Sequence, residues 1–266
     1  AYAEYLGQQH VFSHGLSPTG QDILRHGYYD IGVGTWIFET LDEGFSGGVG
    51  ISTMVWGSQL HFFNWLSGTW LGLRHGWYEP GAGWKFETLI ESVPISDFTS
   101  ATSPTALPFA TVPLDTVALA DPSGGQSVFV STREAGACWL CTPYSLSHGR
   151  YPGANGSWSF SKMPPVNLVG FAEVGGRGAS VTTYGSHTEI FGYRFGYNLS
   201  CDSIYHAFWD GVSWQTEARE VPCTNRDFEQ QYTIPTAATS YPPFNQLHAF
   251  YTQFPLAMGH FWYNPG

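Results

Sequence analysis

The sequence predicts an all-β fold, a β-propeller of five four-stranded blades, because one strand pattern recurs five times along the 266 residues. Each repeat has a short strand centred on a phenylalanine, followed by a strand that contains histidine and then aromatic residues. In most repeats a further strand begins at a tryptophan. The phenylalanines are Phe12, Phe63, Phe129, Phe191 and Phe250; the histidines are His26, His75, His148, His206 and His260; the tryptophans are Trp36, Trp84, Trp158 and Trp214. A repeat of roughly 50 to 70 residues is typical of an array of four-stranded units.

A strand before each phenylalanine completes the predicted blade. Residues 49–56 alternate between apolar and polar side chains and end at Gly57-Ser58, which predicts an innermost strand and a sharp turn. Residues 179–184 end in the same way at Gly185-Ser186. Residues 1–5 also fit an inner strand. No segment has a sustained apolar period of 3.6 residues, so we expect almost no helix.

The second repeat is interrupted by residues 92–126, which are rich in Pro, Ser, Thr and Ala. We expect a long excursion that ends in the third inner strand, around residues 116–120. The last repeat stops before its tryptophan strand, so either the ring closes with an incomplete fifth blade or the chain is part of a longer one; the first interpretation is favoured. Because the repeats run end to end, residues 1–266 are expected to form one domain.

The composition excludes several classes of partner. The net charge is −11 with only ten Lys plus Arg, which argues against nucleic acid and against an anionic membrane surface. No apolar run approaches the length of about 18 residues that a membrane-spanning helix needs. Charged residues make up 12% and aromatic residues 17% of the chain, a balance typical of a packed core rather than of disorder.

Four cysteines suggest an oxidising compartment. Cys201 and Cys223 lie in loops expected on one face of the propeller, and a disulfide between them is the favoured pairing. Cys138 and Cys141 have CxxC spacing, but no second such pair and no histidine cluster follows, so their pairing stays open.

Two glycosylation sequons point to the same compartment. Asn155 and Asn198 each begin an Asn-x-Ser triplet in a predicted loop. Lysine is scarce, with only Lys85 and Lys162. Together these features predict a secreted glycoprotein or a protein of the secretory pathway.

The repeated histidines invite a metal site, but their spacing argues against one. They occupy the same place in different blades, and rotation about a propeller axis keeps such positions far apart, whereas zinc needs about four ligands around one ion. We expect each imidazole to satisfy a backbone group inside its own blade. No Gly-rich phosphate loop or Gly-x-Ser-x-Gly elbow is present either. The sequence therefore predicts neither a metal nor an organic cofactor.

Residues 60–65, 73–78 and 83–89 together resemble a blade of the fucose-specific propeller lectins of fungi and bacteria. In that family a sugar is held by an Arg on the phenylalanine strand, a Glu on the next strand and an aromatic residue of the neighbouring blade. The Arg position here holds His10, His61, Ser127, Glu189 and His248; the Glu position holds Arg25, Arg74, Ser147, Tyr205 and Gly259. The resemblance thus implies the architecture of the family without its fucose site.

The residue two positions after each repeated phenylalanine varies from repeat to repeat. These positions, which we call the mouth positions, hold His14, Trp65, Ser131, Tyr193 and Thr252. A multivalent lectin would repeat its contacts, so variation here indicates either loop drift or a single asymmetric pocket near the axis. In that pocket His14 and Tyr193 would donate hydrogen bonds and Trp65 would form an apolar wall. Other lining residues would be Ser131, Thr252, Arg133 and Arg194.

A lectin-like propeller with an aromatic pocket and without the family's sugar site resembles a group of fungal biosynthetic proteins, the cofactor-free hetero-Diels–Alderases. The resemblance implies an enzyme that joins a tropolone-type quinone methide to a humulene-type terpene, and hence a small apolar substrate. The alternative is a carbohydrate-binding lectin with altered sites between blades, whose partner is a glycan. A noncatalytic adhesion module is a third possibility. The oligomeric state is not predicted.

Overall fold

A computed structural model describes residues 1–43, 50–66, 70–94, 111–134, 144–153, 156–163, 179–194, 203–210, 212–220, 236–241, 246–253 and 257–263. Every regular element in these ranges is a β-strand, as the sequence predicts. No helix able to span a membrane is present in the same ranges.

The strands form five antiparallel sheets, each a meander of strands consecutive in the chain. Sheet 1 contains β1 (Tyr2–Tyr5), β2 (Gln8–Leu16), β3 (Asp22–Asp30) and β4 (Thr35–Glu43). Sheet 2 contains β5 (Ile51–Trp56), β6 (Gln59–Leu66), β7 (Trp70–Glu79) and β8 (Gly83–Pro94). Sheet 3 contains β9 (Thr111–Ala120), β10 (Gln126–Glu134), β11 (Tyr144–Tyr151) and β12 (Ser159–Lys162). Sheet 4 contains β13 (Ser180–Tyr184), β14 (His187–Arg194), β15 (Ser203–Trp209) and β16 (Trp214–Glu220), and sheet 5 contains β17 (Thr236–Tyr241), β18 (Gln246–Gln253) and β19 (Ala257–Tyr263).

The sheets follow one another in chain order around a common axis. The first strand of each sheet contacts the first strand of the next, from β1 through β5, β9 and β13 to β17. These strands are therefore innermost, as predicted for residues 1–5, 49–56, 116–120 and 179–184. The propeller class is confirmed, whereas the number of blades in the closed ring stays a prediction.

The turn from the innermost strand to the phenylalanine strand depends on residues that tolerate a left-handed backbone. Tyr5 pairs with Gln8, and the two residues between them both have positive φ, 52° at Leu6 and 74° at Gly7. The predicted Gly-Ser turns follow the same plan, with φ of 60° at Gly57 and 59° at Gly185. Glycine adopts this conformation without the steric cost that a β-carbon imposes.

The hydrophobic core lies between the sheets. Successive side chains on a strand point to opposite faces, so each phenylalanine strand packs against two neighbours. Phe12 of sheet 1 lies 5.3 Å, centroid to centroid, from Phe62 of sheet 2. Phe129 of sheet 3 packs in one cluster with Ile190 of sheet 4. A separate apolar cluster fills each of the first three gaps between consecutive sheets.

Tryptophans complete the packing between sheets. Trp84 of sheet 2 lies edge-on to Phe12 and His26 of sheet 1, with centroid separations of 5.7 and 5.1 Å. Trp158 of sheet 3 and Trp214 of sheet 4 make the same contacts with the phenylalanine and histidine of the sheet before them. Edge-to-face geometry of this kind contributes about 0.5–1.5 kcal/mol beyond the burial of area. The repeated Phe, His and Trp of the sequence thus form one structural unit that joins neighbouring sheets.

Truncation of a core phenylalanine tests this packing. We expect Phe129→Ala to lower the free energy of unfolding by about 3–5 kcal/mol, because Phe129 is fully buried and its loss leaves a cavity. The measurement is urea denaturation followed by tryptophan fluorescence. Val212→Ala is the control, since Val212 is 85% exposed. Equal midpoints for the two variants would contradict the assignment of the core.

Candidate functional site

A hydrogen-bonded relay of side chains crosses sheet 1 and ends on sheet 2. His10 Nδ1 lies 2.9 Å from His26 Nε2, and His26 Nδ1 lies 2.8 Å from Glu39 Oε1. Because the carboxylate only accepts, His26 donates from Nδ1, and the Nε2 of a neutral His26 accepts from His10. Trp84 Nε1 of sheet 2 donates to the same Glu39 oxygen at 2.9 Å. We call this chain of contacts the relay.

The relay is repeated between sheets 2 and 3. His61 Nδ1 lies 2.8 Å from His75 Nε2, and His75 Nδ1 lies 2.8 Å from Glu87 Oε1. Trp158 Nε1 donates to Glu87 at 3.3 Å. The sequence predicts that each strand histidine satisfies a backbone group, but in these two sheets its partners are side chains. The histidines are structural, as expected, and they connect sheets as well as strands.

In sheet 3 a serine replaces the first histidine of the relay. His148 Nε2 lies 2.9 Å from Ser127 Oγ, and Ser127 Oγ donates to Asp121 Oδ2 at 3.3 Å. The residue types are those of a hydrolytic triad, but the order of the contacts is different, because the carboxylate accepts from serine rather than from histidine. Ser127 is also fully buried. The arrangement therefore stabilises the sheet and does not present a nucleophile.

In sheets 4 and 5 the strand histidine again has a side-chain partner, and the type of partner differs between the two sheets. In sheet 4 the buried carboxylate of Glu189 accepts from His206 Nε2 at 2.7 Å. In sheet 5 His248 Nδ1 lies 2.9 Å from His260 Nε2. In all five sheets, the residue two positions before the repeated phenylalanine thus bonds to the strand histidine of its own sheet. Loss of the fucose site at these positions stays a prediction.

No three His, Cys, Asp or Glu side chains are grouped to hold a metal ion within the described ranges. Several residues predicted from the sequence lie outside these ranges, namely Cys138, Cys141, Asn155, Asn198, Cys201 and Cys223. The backbones of Arg133, Tyr193, Arg194 and Thr252 are described, but their side chains are not. The predictions for these ten residues remain predictions.

The mouth positions occupy equivalent places in their sheets. His14 pairs with Leu24, Trp65 with Leu73 and Ser131 with Leu146. The backbones of Tyr193 and Thr252 pair in the same way with Ile204 and Met258. The five positions therefore lie at the same end of their sheets.

The described mouth side chains lie in different gaps between sheets. His14 follows Phe12 by two residues, so it lies on the same face of sheet 1, the face that packs against sheet 2. Trp65 is only 3% exposed and belongs to the cluster between sheets 2 and 3, where it packs with Val130 and other residues. Trp65 thus contributes to the core of the second gap. Convergence of all the mouth side chains on one central pocket stays a prediction.

The first gap contains a polar layer that the repeat pattern does not predict. On sheet 1, His14, Leu24 and Asp42 lie in register across three strands. On the facing side of sheet 2, Asn64 pairs with Arg74. Arg74 and Asp42 form an ion pair across the gap, and both side chains are largely buried. We call His14, Asp42, Asn64 and Arg74 the polar layer.

The same places in the second gap are mostly apolar. Trp65, Leu73 and Ile90 lie in register on sheet 2, and Val130 and Ser147 lie opposite them on sheet 3. The only polar side-chain groups among these five residues are the hydroxyl of Ser147 and the indole N–H of Trp65. The polar layer is therefore a departure of the first gap from its neighbour and not part of the repeated core.

Apart from Asp42 Oδ2, which faces Arg74 in the ion pair, two atoms of the polar layer are buried without a hydrogen-bond partner, namely His14 Nε2 and Asn64 Oδ1. Buried atoms without a partner also occur elsewhere in the described residues, among them His61 Nε2 and Trp65 Nε1 on sheet 2, but the first gap combines them with an ion pair that breaks the repeat. A buried polar atom without a partner costs about 1–3 kcal/mol, so atoms of this kind indicate a place where another molecule completes the bonding. The first gap is accordingly the candidate functional site.

The sequence predicts one member of the polar layer, His14, from its mouth position. It does not predict the other three, Asn64, Arg74 and Asp42. Asn64 does leave a signal, because it is an amide between Phe63 and Trp65 in a strand whose other residues favour burial. The pairing of Arg74 with Asp42 depends on how the two sheets are stacked, which the sequence pattern does not specify.

Comparisons with known proteins agree with this architecture. No family profile and no curated protein matches the sequence. Among solved structures, the Aleuria aurantia lectin in complex with Fucα1-6GlcNAc is similar over 100% of this chain and 76% of its own, with a TM-score of 0.56 and 15% identity. The fold is that of the fucose-lectin-like β-propellers. A mutant of AofleA from Arthrobotrys oligospora is similar over 100% of this chain and 68% of its own, with a TM-score of 0.55 and 12% identity.

The same fold also supports catalysis in other proteins. An α-L-arabinofuranosidase from Fusarium graminearum, in complex with an iminosugar inhibitor, matches 98% of this chain and 74% of its own, with a TM-score of 0.59 and 10% identity. Another structure of the Aleuria aurantia lectin, at 12% identity, is described as six-bladed. Because identity is this low, the likeness shows the lectin-like fold and does not distinguish a lectin from an enzyme.

The buried histidines should make stability depend on pH. Burial lowers the pKa of His61 to about 3 and that of His148 to about 4. In the unfolded chain both would bind a proton near pH 6.5, so stability is complete above that pH and declines as pH falls toward 4. At pH 5 each histidine should reduce the free energy of unfolding by about 2 kcal/mol. Urea denaturation at pH 7 and pH 5 measures the loss.

A variant isolates the contribution of one histidine. His61→Ser installs the residue that sheet 3 carries at the same position, Ser127, and removes one titrating group. Its stability should fall less between pH 7 and pH 5 than that of the unchanged protein. A pH dependence identical to that of the unchanged protein would show that His61 is not buried in its neutral form.

Proposed function

We propose that this protein binds small organic substrates at one site per chain, between sheets 1 and 2, and joins them there without a cofactor. The observation that supports this proposal is the polar layer, which breaks the repeat in the first gap and leaves two polar atoms without a partner. A lectin that binds several sugars would repeat its contacts from gap to gap. The second gap has apolar residues at the equivalent places, which favours a single site.

The chemistry that best fits such a site is an intermolecular hetero-Diels–Alder reaction between a tropolone-type quinone methide and a terpene. This reaction needs two partners held face to face and a donor at the oxygen on which negative charge develops. His14 is the proposed donor. Burial lowers its pKa, so the imidazole is neutral near pH 7 and has an N–H to donate. Tyr193 occupies the equivalent mouth position of sheet 4, so its predicted role as a second donor applies only to a pocket near the axis and not to a ligand between sheets 1 and 2.

Apolar residues border the polar layer. Leu24 lies between His14 and Asp42 in the same row, and Phe62 precedes Asn64 by two residues on the facing strand. Both belong to the apolar cluster of the first gap. A ligand with a polar head and an apolar body would match this combination. The apolar wall that the sequence assigns to Trp65 is thus proposed to come from residues of the first gap.

Carbohydrate binding is the second candidate function. It is supported by the lectin-like fold and by solved neighbours that bind fucose or a fucosylated disaccharide. Asn, Asp and Arg side chains all form hydrogen bonds with hydroxyl groups, so the polar layer could accept a sugar. The number of ligands per chain separates the two functions. One ligand that simple sugars do not displace favours the enzyme, whereas several equivalent sites on a glycan array favour the lectin.

Replacement of the proposed donor tests the catalytic proposal. With a quinone methide generated in situ and a humulene-type terpene, we expect His14→Ala to reduce turnover about 10²–10³-fold, the usual loss when a donor acts mainly in the transition state. Tyr193→Phe, on sheet 4, should leave turnover unchanged if the substrates lie between sheets 1 and 2, and should reduce it only if they lie near the axis. Product is measured by chromatography against the uncatalysed reaction.

Two further variants act as controls. Ser13→Ala changes an exposed residue beside His14 and should leave turnover unchanged. Trp65→Ala should lower stability, because Trp65 is buried between sheets 2 and 3. If His14→Ala keeps full turnover and affinity while remaining folded, the catalytic proposal is wrong.

A further inference from the structure

Asn64 is the most unusual member of the polar layer. Its side chain is 3% exposed, and it lies in β6 between the buried residues Phe63 and Trp65. The carboxamide oxygen has no partner, and the nitrogen makes only a long contact of 3.5 Å with the backbone oxygen of Trp65. The oxygen of an amide can only accept hydrogen bonds. A ligand that completes this site must therefore bring a donor to Asn64.

The position of Asn64 places that acceptor in the same gap as His14. Asn64 lies on the face of sheet 2 that carries Phe62, which packs against sheet 1. Arg74, its neighbour across the strands, joins Asp42 of sheet 1, and Asp42 lies in one row with His14. The ion pair therefore joins the sheet 2 row that contains Asn64 to the sheet 1 row that contains His14, so that the two rows face each other across the gap.

The charge of the layer restricts the ligand. Arg74 and Asp42 neutralise each other across the gap. Burial lowers the pKa of His14; the Asp22 carboxylate opposes this effect and the Ala1 ammonium adds to it, so the ring is uncharged near pH 7. The two charges of the layer itself, Arg74 and Asp42, are already paired with each other, and burial of a further charge without a partner of its own is unfavourable. The layer accordingly suits a neutral molecule.

We infer that the ligand is a neutral molecule that presents an O–H or N–H donor to Asn64 Oδ1 beside an oxygen acceptor for His14. A hydroxy ketone has this pair of groups, and so does a sugar with a hydroxyl next to its ring oxygen. A plain ketone, a hydrocarbon or an anion does not. This inference rests on the proposed site between sheets 1 and 2, and it makes Asn64 the residue that determines specificity there.

Three small probes test the inference on the unchanged protein: cyclohexanone, 2-hydroxycyclohexanone and 2-methoxycyclohexanone. They share one ring and one carbonyl and differ at the adjacent carbon, which carries hydrogen, hydroxyl or methoxy, and only the hydroxyl can donate a hydrogen bond. Binding is followed by NMR through the ¹⁵N shifts of His14 in histidine-labelled protein. We expect the hydroxy ketone to bind about ten- to a hundred-fold more tightly than the other two, because only it satisfies the buried acceptor.

Asn64→Val installs the residue that sheet 3 carries at the same position, Val130, and removes the acceptor. The preference for the hydroxy ketone should disappear in this variant. Asn64→Asp keeps an acceptor oxygen and should keep the tighter binding of the hydroxy ketone. This variant tests the acceptor if Asn64→Val does not fold. Thr88→Val is the matched control, since Thr88 is an exposed polar residue on the neighbouring strand β8 and its loss should not change the preference.

The outcomes separate the inference from the proposed function. Equal binding of all three probes, weakened in each case by His14→Ala, would overturn the role of Asn64 and leave the site in place. No shift of His14 with any probe, including methyl α-L-fucoside, would overturn the proposed site itself. Binding of the fucoside with loss of binding in Asn64→Val would support the inference and identify a sugar as the source of the donor.

Discussion

The contact on which the structure depends is the docking of a tryptophan from one sheet onto the histidine and glutamate of the sheet before it. A sheet of three or four short strands cannot bury enough apolar surface alone, so each needs its neighbour. Trp84 and Trp158 provide both the apolar contact and an indole N–H that ends the relay on Glu39 or Glu87. The glutamate fixes the orientation of the histidine, and the histidine forms the face on which the next tryptophan packs.

The relay occupies the first two gaps between sheets, and the polar residues that break the repeat in the first gap lie toward the ends of the strands. The residues there need not match the next sheet, so they can acquire polar groups without loss of the fold. In the first gap this has happened on both facing strands, with His14 and Asp42 on one side and Asn64 and Arg74 on the other. The site thus uses the structural repeat as a rigid support and departs from it at one end. A lectin and an α-L-arabinofuranosidase are both similar in fold to this chain, so the fold itself does not determine function.

The architecture could be predicted from the sequence because it is repetitive. Phe12 and its equivalents, the strand histidines and the tryptophans recur in the same order, so assignment of the strands in one repeat assigns them in all the sheets. The functional site was harder to predict from the sequence. His14 could be singled out by comparison of equivalent positions, but the sequence does not show toward which gap a side chain points. It therefore gives no sign that Trp65 packs between sheets 2 and 3. The Arg74–Asp42 pair joins residues of different sheets, which no local pattern specifies.

The unpartnered atoms His14 Nε2 and Asn64 Oδ1 of the first gap are proposed to mark the ligand site. A crystal structure of the protein with 2-hydroxycyclohexanone or a fucoside bound is the most direct test, because it locates the ligand without reference to activity. We expect one molecule of the probe per chain between sheets 1 and 2, with an oxygen within hydrogen-bonding distance of Asn64 Oδ1 and another near His14 Nε2. Ligand found at the same level in several gaps, or only on the axis away from Asn64, would contradict it.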